Sequence, residues 1–359
     1  MKPSSSPTGL VSVVILSFGD SEPVRLCLEA LAEGSYPNIE VLIGRFGPEK
    51  TSHDLMIRTQ FPVTVVRFEV DDGVAAARNE LSKSSSGEYL AFLDDDTIPT
   101  PTWLAEAIKT LCSRAKIGAV QSLLLDYSDP SKVDGAGSLV DISGYPLERG
   151  RFLGVFEGRS EPSVTGTDLF GACSAAMVVK TEVFQEVGLF DPDFVIEMED
   201  LDVSWRIRLA GYDIQLAEKS KVLHRRQSKR NARPRQYKEY RSFNGLKNQI
   251  LCIAKNMGSR SIIKFAPIIA MSHVVKLFMP RERVAALMAK AVFWNMRNLR
   301  VTLRKRYTIQ HVLRRRPDSE TLASAIRLPI LLTDILVGTD ATLRTVRGLD
   351  EKQSHPVGR

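Results

Sequence analysis

Only four cysteines occur in 359 residues, Cys27, Cys112, Cys173 and Cys252, and no two have the CxxC spacing of a zinc ligand pair or a redox motif. A disulfide-stapled fold is thereby excluded, and reduced thiols in an apolar core are expected. No leader is expected either. Residues 1–9 carry one lysine and then Ser, Pro and Thr where a signal peptide has its apolar segment, so a cytoplasmic protein with a short flexible N-terminus is expected. No apolar run is clean enough to cross a bilayer. The stretch 262–279 is broken by Lys264, His273 and Lys276, and 284–303 by Lys290, Arg297 and Arg300. The run 325–337 is too short, at about 1.5 Å per residue, for a hydrocarbon layer of about 30 Å. No internal repeat is evident.

What is present is an ordinary globular composition, 43% hydrophobic and 25% charged, with a net charge of +7 that is unevenly spread. Residues 1–218 hold 18 Lys and Arg against 34 Asp and Glu, whereas residues 219–359 hold 31 against 8. Eight of the basic residues fall in 221–238. Two physically different regions therefore share the chain, and the second is suited to an anionic partner.

The short apolar runs 11–16, 39–44, 63–68 and 89–93 have the composition of strands buried on both faces. Helical stretches alternate with them. One opens at Ser21, Glu22 and Pro23 and stops at Gly34; a second covers 74–82; a third starts at Thr100 and Pro101. The alternation predicts an α/β fold, a doubly wound and mostly parallel sheet whose ligand lies beyond the carboxyl ends of the strands. Strands are also expected at 118–125 and 173–180. The Gly-, Ser- and Pro-rich stretch 134–171 between them reads as surface loops over the site.

Two constellations carry chemistry. The first is YLAFLDDDTIP at 89–99, an apolar strand that ends in Asp94, Asp95 and Asp96. Adjacent anions raise one another's pKa, and a bound hard cation, Mg or Mn, relieves the repulsion. A solvated acidic turn with Asp96 capping the next helix is the plainer alternative. The second is GLFDPDFVIEMEDLDVSWRIRLAGY at 188–212, a helix with one apolar row of Val203, Ile207 and Ala210 and another of Leu201, Trp205 and Leu209. Asp202 and Arg206 are spaced for a structural i,i+4 ion pair, whereas Glu199 and Asp200 have no cation within a turn. A helix N-terminus alone favours such charge. A carboxylate free of local cations, near a metal-held phosphate donor, is also what removes a hydroxyl proton during inversion at a sugar carbon. Asp200, with Glu199 beside it, is the choice for that base. His224, after a short apolar run, is either a ligand of the same metal or a structural histidine.

The order VSVVILSF, DDGVAAARN, FLDDDTIP, GLFDPDF with EMEDLDVSWR, and VLH, across residues 9–228, resembles the inverting family 2 glycosyltransferases of GT-A fold. The resemblance implies a catalytic domain over 10–235, with a nucleotide-sugar-binding half at 10–118 and an acceptor half at 119–235. It places Ser17, Arg78, Asn79, Asp94 and Asp95 at the nucleotide sugar, Asp96 and His224 at the metal, and the base at Asp200. The stretch 135–150 is similar to the rhamnosyltransferase-like branch. Phe18-Gly19 and Gly44-Arg45 stand where the family commonly has Tyr-Asn and a base-contacting Asp, which leaves uridine, guanosine and thymidine donors open.

The function so implied is transfer of a sugar from a nucleotide-diphosphate sugar to a hydroxyl of a glycan acceptor, lipid-linked in view of the basic tail. A polyprenyl-phosphate glycosyltransferase of the same fold is the alternative, and it would need no base. A nucleic-acid-binding protein, raised by a pI of 9.2, is disfavoured by the acidic N-terminal region. Residues 236–359 are expected as basic amphipathic helices on the anionic inner face of the cell membrane. The competing expectation is a helical subdomain packed on the catalytic core, with Phe265, Leu277, Phe278, Leu287 and Trp294 as core residues.

Overall fold

The computed structural model describes residues 8–18, 21–46, 59–69, 72–149, 168–226, 234–277, 284–323 and 325. The first half alternates strand and helix: β1 (Val11–Phe18), α1 (Glu22–Ala32), β2 (Ile39–Phe46), β3 (Val63–Phe68), α2 (Val74–Lys83), β4 (Tyr89–Asp94), β5 (Thr97–Pro99) and α3 (Trp103–Leu111). Then come β6 (Ile117–Asp126), β7 (Val133–Gly135), β8 (Ser138–Val140), β9 (Pro146–Glu148), β10 (Asp168–Leu169), β11 (Ala176–Lys180), α4 (Thr181–Glu186), α5 (Glu199–Leu209) and β12 (Asp213–His224). The chain continues as helices: α6 (Arg235–Asn256), α7 (Ser259–Leu277), α8 (Val284–Arg297), α9 (Leu299–Thr308) and the short α10 (Asp318–Thr321).

The main sheet runs β10-β12-β6-β11-β4-β1-β2-β3. Strands β3, β2, β1 and β4 are parallel neighbours, and β6 and β12 are parallel to each other. β11 lies antiparallel between β4 and β6, so all six of those strands point the same way. Successive side chains of a strand face opposite sides. Val14 and Leu16 of β1, with Leu90 and Phe92 of β4, therefore pack under α2, α4 and α5. Val13, Ile15, Ala91 and Leu93 pack on α1 and α3. β1, β2 and β4 are covered on both faces, as their unbroken apolar runs require, but β3 is not: at the edge of the sheet it is only half-buried and Val65 is exposed, contrary to the reading of 63–68 as a strand buried on both faces.

The stretch 134–149 differs from the exposed loop expected there. β7 joins the edge of β6, β8 pairs with β9, and Asp134, Val140, Asp141, Ser143 and Arg149 are buried. Its small residues suit close packing as well as loops, which is why periodicity was no guide. Residues 150–167 of that expected loop lie outside the described residues. Cys27 and Cys252 are core thiols, but Cys112 is exposed, at the C-terminus of α3 where the amphipathic row ends.

Helix α5 is buried on nearly its whole circumference. Its Val203–Ile207–Ala210 row joins the core under the sheet. Its Leu201–Trp205–Leu209 row meets Leu251, Cys252 and Ile253 of α6 in a third core with Phe170 and Phe194. The first helix of the tail thus packs into the same body as α5 and the sheet. Leu287 of α8 is buried, and Phe265 and Trp294 are half-buried against the third core, whereas Leu277 is exposed. Phe278 lies outside the described residues.

Charge locks the same joint. The Asp202 carboxylate accepts from Arg206 Nη2 at 2.8 Å and from Asn256 Nδ2 at 2.7 Å, and it pairs with Lys255 Nζ at 3.1 Å. Lys255 also bonds Asp191, which Lys305 reaches from α9 at 2.5 Å. Removing one member of a buried ion cluster leaves the others uncompensated. Asp202→Ala is therefore expected to lower unfolding stability at pH 7 by about 3–5 kcal/mol, read from the urea midpoint. Burial pushes the Asp202 carboxyl up, but Lys255 and then Arg206 outweigh it and hold it below the ordinary value. A depressed folded pKa means that this contribution is complete above the unfolded carboxylate value of about 3.9 and is lost as the pH falls further. An unchanged midpoint in the variant would show the cluster to be energetically neutral.

Candidate active site

Because the six strands share one direction, their carboxyl ends place Phe18, Phe46, Phe68, Asp94, Asp126 and His224 along one edge of the sheet. β4 ends in the carboxylate run because β5 turns the chain back to pair with β12, setting Thr97 opposite His224. Asp96 and His224 thereby become neighbours: His224 Nε2 lies 3.3 Å from Asp96 Oδ1. The other ring nitrogen, Nδ1, is 2.8 Å from Asp134 Oδ2, which fixes the ring's orientation. Burial pulls the imidazole pKa down, yet Asp134 and Asp96 outweigh it and raise it to about 9.

Asp94, Asp96 and His224 each offer a ligand atom within 4.8 Å of the others. Two carboxylates and an imidazole backed by a buried carboxylate suit a divalent cation, with the orienting partner typical of histidine ligands. Asp94 also accepts from Arg78 Nη2 at 3.0 Å. Asp95 is pushed up to about 7, first by burial and then by the Asp94 and Asp96 charges, although the Phe18 amide donates to it at 3.4 Å.

Across the edge from this cluster, α5 begins with Glu199 and Asp200. Arg78 spans the gap, with its Nη1 on Glu199 Oε1 at 2.9 Å. Asp200 accepts from the Ser174 amide at 3.3 Å and the Leu201 amide at 2.7 Å. Arg78 is spent on Glu199 and Asp94, and no Lys or Arg among the described residues bonds Asp200. Burial raises the pKa of both carboxyls, and the neighbouring Asp200 charge helps bring Glu199 to about 8 despite Arg78. A raised carboxylate is a stronger base near neutral pH.

The residues singled out in the sequence divide accordingly. Ion pairs link Glu199, Arg78 and Asp94, another links Asp96 and His224, and Asp94 lies in one cluster with Asp96 and His224, with Asp95 and Asp200 at its flanks. Ser17 is fully buried beneath the edge, where its hydroxyl accepts from Arg45 Nη1 at 3.3 Å. Asn79 points elsewhere. Both ends of its amide are bound to the Phe190 backbone, at 2.8 and 3.0 Å, so it anchors α2 to the segment that leads into α5.

Some of the site had no sequence signal. Asp134 lies in a stretch without periodicity, and nothing in the local pattern ties it to a histidine 90 residues later. Phe18, Phe46 and Phe68 occupy equivalent positions on adjacent strands, so their rings stack at 4.6 and 5.0 Å. Phe18 remains 50% exposed at the top of that ladder. The runs read as strands stop at Leu16 and Gly44, two residues short of Phe18 and Phe46, so of the three rings only Phe68 stands at an expected strand end, and the register that stacks them has no sequence signal.

Comparison with known proteins agrees with this arrangement. Residues 12–188 match the model of glycosyl transferase family 2. The O-antigen biosynthesis protein RfbC of Myxococcus xanthus is 25% identical over 235 residues, which cover 63% of this chain and 18% of that protein. Glycosyltransferase AglE of Haloferax volcanii is 27% identical over 227 residues, covering 59% of this chain and 66% of AglE. The chain thus spans under a fifth of the first and about two thirds of the second. A crystal structure of GalNAc-T7 with UDP, GalNAc and Mn2+ aligns over 85% of this chain and 59% of its own, with a TM-score of 0.58 and 17% identity, which shows a shared GT-A fold. By the matched segment and these relatives, residues 12–188 carry a family 2 glycosyltransferase domain, built on the mostly parallel sheet with its strand-end carboxylates.

Proposed function

We propose that the protein moves a hexose or deoxyhexose from a nucleotide-diphosphate sugar to a hydroxyl of a lipid-linked glycan, with inversion at the sugar carbon. The observation that carries this reading is the pairing of two unlike carboxylate groups across one cleft. Asp94 and Asp96 join His224 in a cation-binding set, while Asp200 stands opposite without a cation of its own. Asp94, Asp96 and His224 would hold Mg or Mn, which would supply positive charge to the leaving diphosphate. Asp200 takes the acceptor hydroxyl proton, and Arg78 keeps Glu199 and Asp94 at a fixed separation. The exposed Phe18 face, backed by Phe46, offers the nucleobase an apolar platform, with Asp95, which accepts from the Phe18 amide, beside it. A panel of UDP, GDP and TDP, each with and without Mn, tests this by thermal shift, since a ligand of the folded state raises its melting temperature. At least one nucleotide should stabilise the protein only when the metal is present; no metal-dependent shift with any of them would remove the reading.

The acceptor side rests on α7, α8 and α9. Ile263, Phe293, Met296 and Tyr307 are each at least 64% exposed, and Arg260, Lys264, Lys290, Arg297, Arg300 and Arg304 are exposed on the same helices. No helix among the described residues is long and apolar enough to cross a membrane. Exposed apolar side chains mixed with cations suit the surface of an anionic bilayer, where each Lys or Arg contributes about 1 kcal/mol and salt screens it. The full chain is expected to co-sediment with phosphatidylserine-containing vesicles at low salt and to be largely released at high salt. Absence from the vesicle pellet at low salt would exclude the membrane.

A further inference from the structure

The segment leading into α5 is strained, and the strain is held from the tail. Val195, Glu197 and Met198 have φ of 58°, 70° and 67°. Val195, with ψ of −65°, is the centre of a γ-turn of the rare kind, in which the Ile196 amide donates to the Phe194 carbonyl at 2.6 Å. A β-branched residue there is a true outlier, and such backbone persists only where its surroundings impose it.

Helix α6 is what imposes it. The buried Asn248 amide donates to the carbonyls of Phe194, Ile196 and Glu197 at 2.9, 2.8 and 2.6 Å. Beside it, Lys247 Nζ donates to the Asp193 carbonyl at 2.6 Å, and Arg241 pairs with the Glu197 carboxylate. The turn cannot retreat on its other side, because Gly73 packs so closely that a Cβ there would lie 2.4 Å from the Val195 carbonyl oxygen. The residues that follow the turn directly are Glu199 and Asp200.

We propose that Asn248 is a positioning residue for transfer: by tying three carbonyls of the turn, it fixes where α5 begins and so where the Glu199–Asp200 pair stands in the cleft. The proposal rests on the reading of that pair as the base. Asn248 touches neither carboxylate, so its effect is on geometry at the reacting centre and not on donor binding.

Asn248→Asp keeps the shape of the side chain and removes both N–H donors, and Asn248→Ala removes the amide altogether. Both are expected to lower kcat for transfer by about 10- to 100-fold, since small misplacements of a reacting group have effects of that size. Donor KM and metal-dependent nucleotide affinity should stay within about twofold, the split that marks loss of an interaction felt only in the transition state. Asn248→Ser retains one donor and should fall between Ala and wild type; it also decides the matter by the same criterion if the other two do not fold. A folded Asn248→Asp with wild-type kcat, or a loss of kcat matched by an equal loss of donor affinity, would overturn the proposal. Asp200→Asn is assayed alongside. A full rate in that variant would reject the base assignment alone, so the two failures are told apart.

Discussion

Asp200→Asn is expected to bind donor as the wild type does and to transfer sugar at least about 100-fold more slowly. The replacement is close to isosteric, and its one amide oxygen can still accept from either the Ser174 or the Leu201 amide, which bond different oxygens of Asp200. What it removes is the basic, anionic oxygen of a carboxylate whose pKa burial has raised. General-base catalysis is worth roughly 10² to 10⁴ in rate, so the effect should far exceed the scatter of a transfer assay. Arg78 is left with both its partners, Glu199 and Asp94, and so the donor side of the cleft keeps its arrangement. Nucleotide affinity and turnover must therefore separate. If both fall together, Asp200 serves the donor or the fold and the base lies elsewhere.

The second large effect is expected at Asp96. Asp96→Ala removes one of the three ligand atoms clustered within 4.8 Å and leaves His224 Nε2 without its carboxylate neighbour. Asp94 remains, but one of its oxygens is engaged by Arg78. A single shared carboxylate and an imidazole make a poor site for Mg or Mn, which are held by oxygen-rich sets. The variant should lose metal-dependent stabilisation by nucleotide altogether, while its melting temperature without nucleotide stays close to that of the wild type. Asp134→Asn gives a graded comparison. It keeps a partner for His224 Nδ1 but weakens the orienting bond, and losses of about 10- to 100-fold in metal affinity are usual for such changes. Unchanged metal-dependent nucleotide affinity in Asp96→Ala would move the cation to other ligands.

Much of this was legible in the sequence because it depends on local pattern. Unbroken apolar runs gave β1, β2 and β4, and a strand that breaks into three carboxylates marked where the sheet edge opens. The two apolar rows of α5 were visible as well, but not that they face different cores, since spacing records a face and not the surface it meets. β11 illustrates the same limit: its apolar run reads as a buried strand, while its antiparallel insertion between β4 and β6 depends on pairings far apart in the chain. Asp134 was lost for a related reason. Its role exists only once β7 lies on β6 beside the end of β12, and no composition rule connects those pieces. In the tail, basic and apolar residues mixed at helical spacing suggested one kind of surface throughout. The structure divides them, with α6 turned inward and α7 to α9 carrying the exposed apolar side chains.

The joint between α5 and α6 also bears on how such a chain can be recombined. The family-matched segment ends at residue 188, before α5, and a cut there carries α5 and α6 together, whereas a chimera cut between the two would set each against a foreign partner. Asp202 would then have to find a lysine and an amide at the positions of Lys255 and Asn256, and the 195–198 turn an amide where Asn248 stands. An exchangeable cassette that contains α5 therefore runs through at least the end of α6. Among homologues, substitutions at Asp202, Lys255 and Asn256 should be inherited in sets, because any one of them changed alone strands a buried charge or donor.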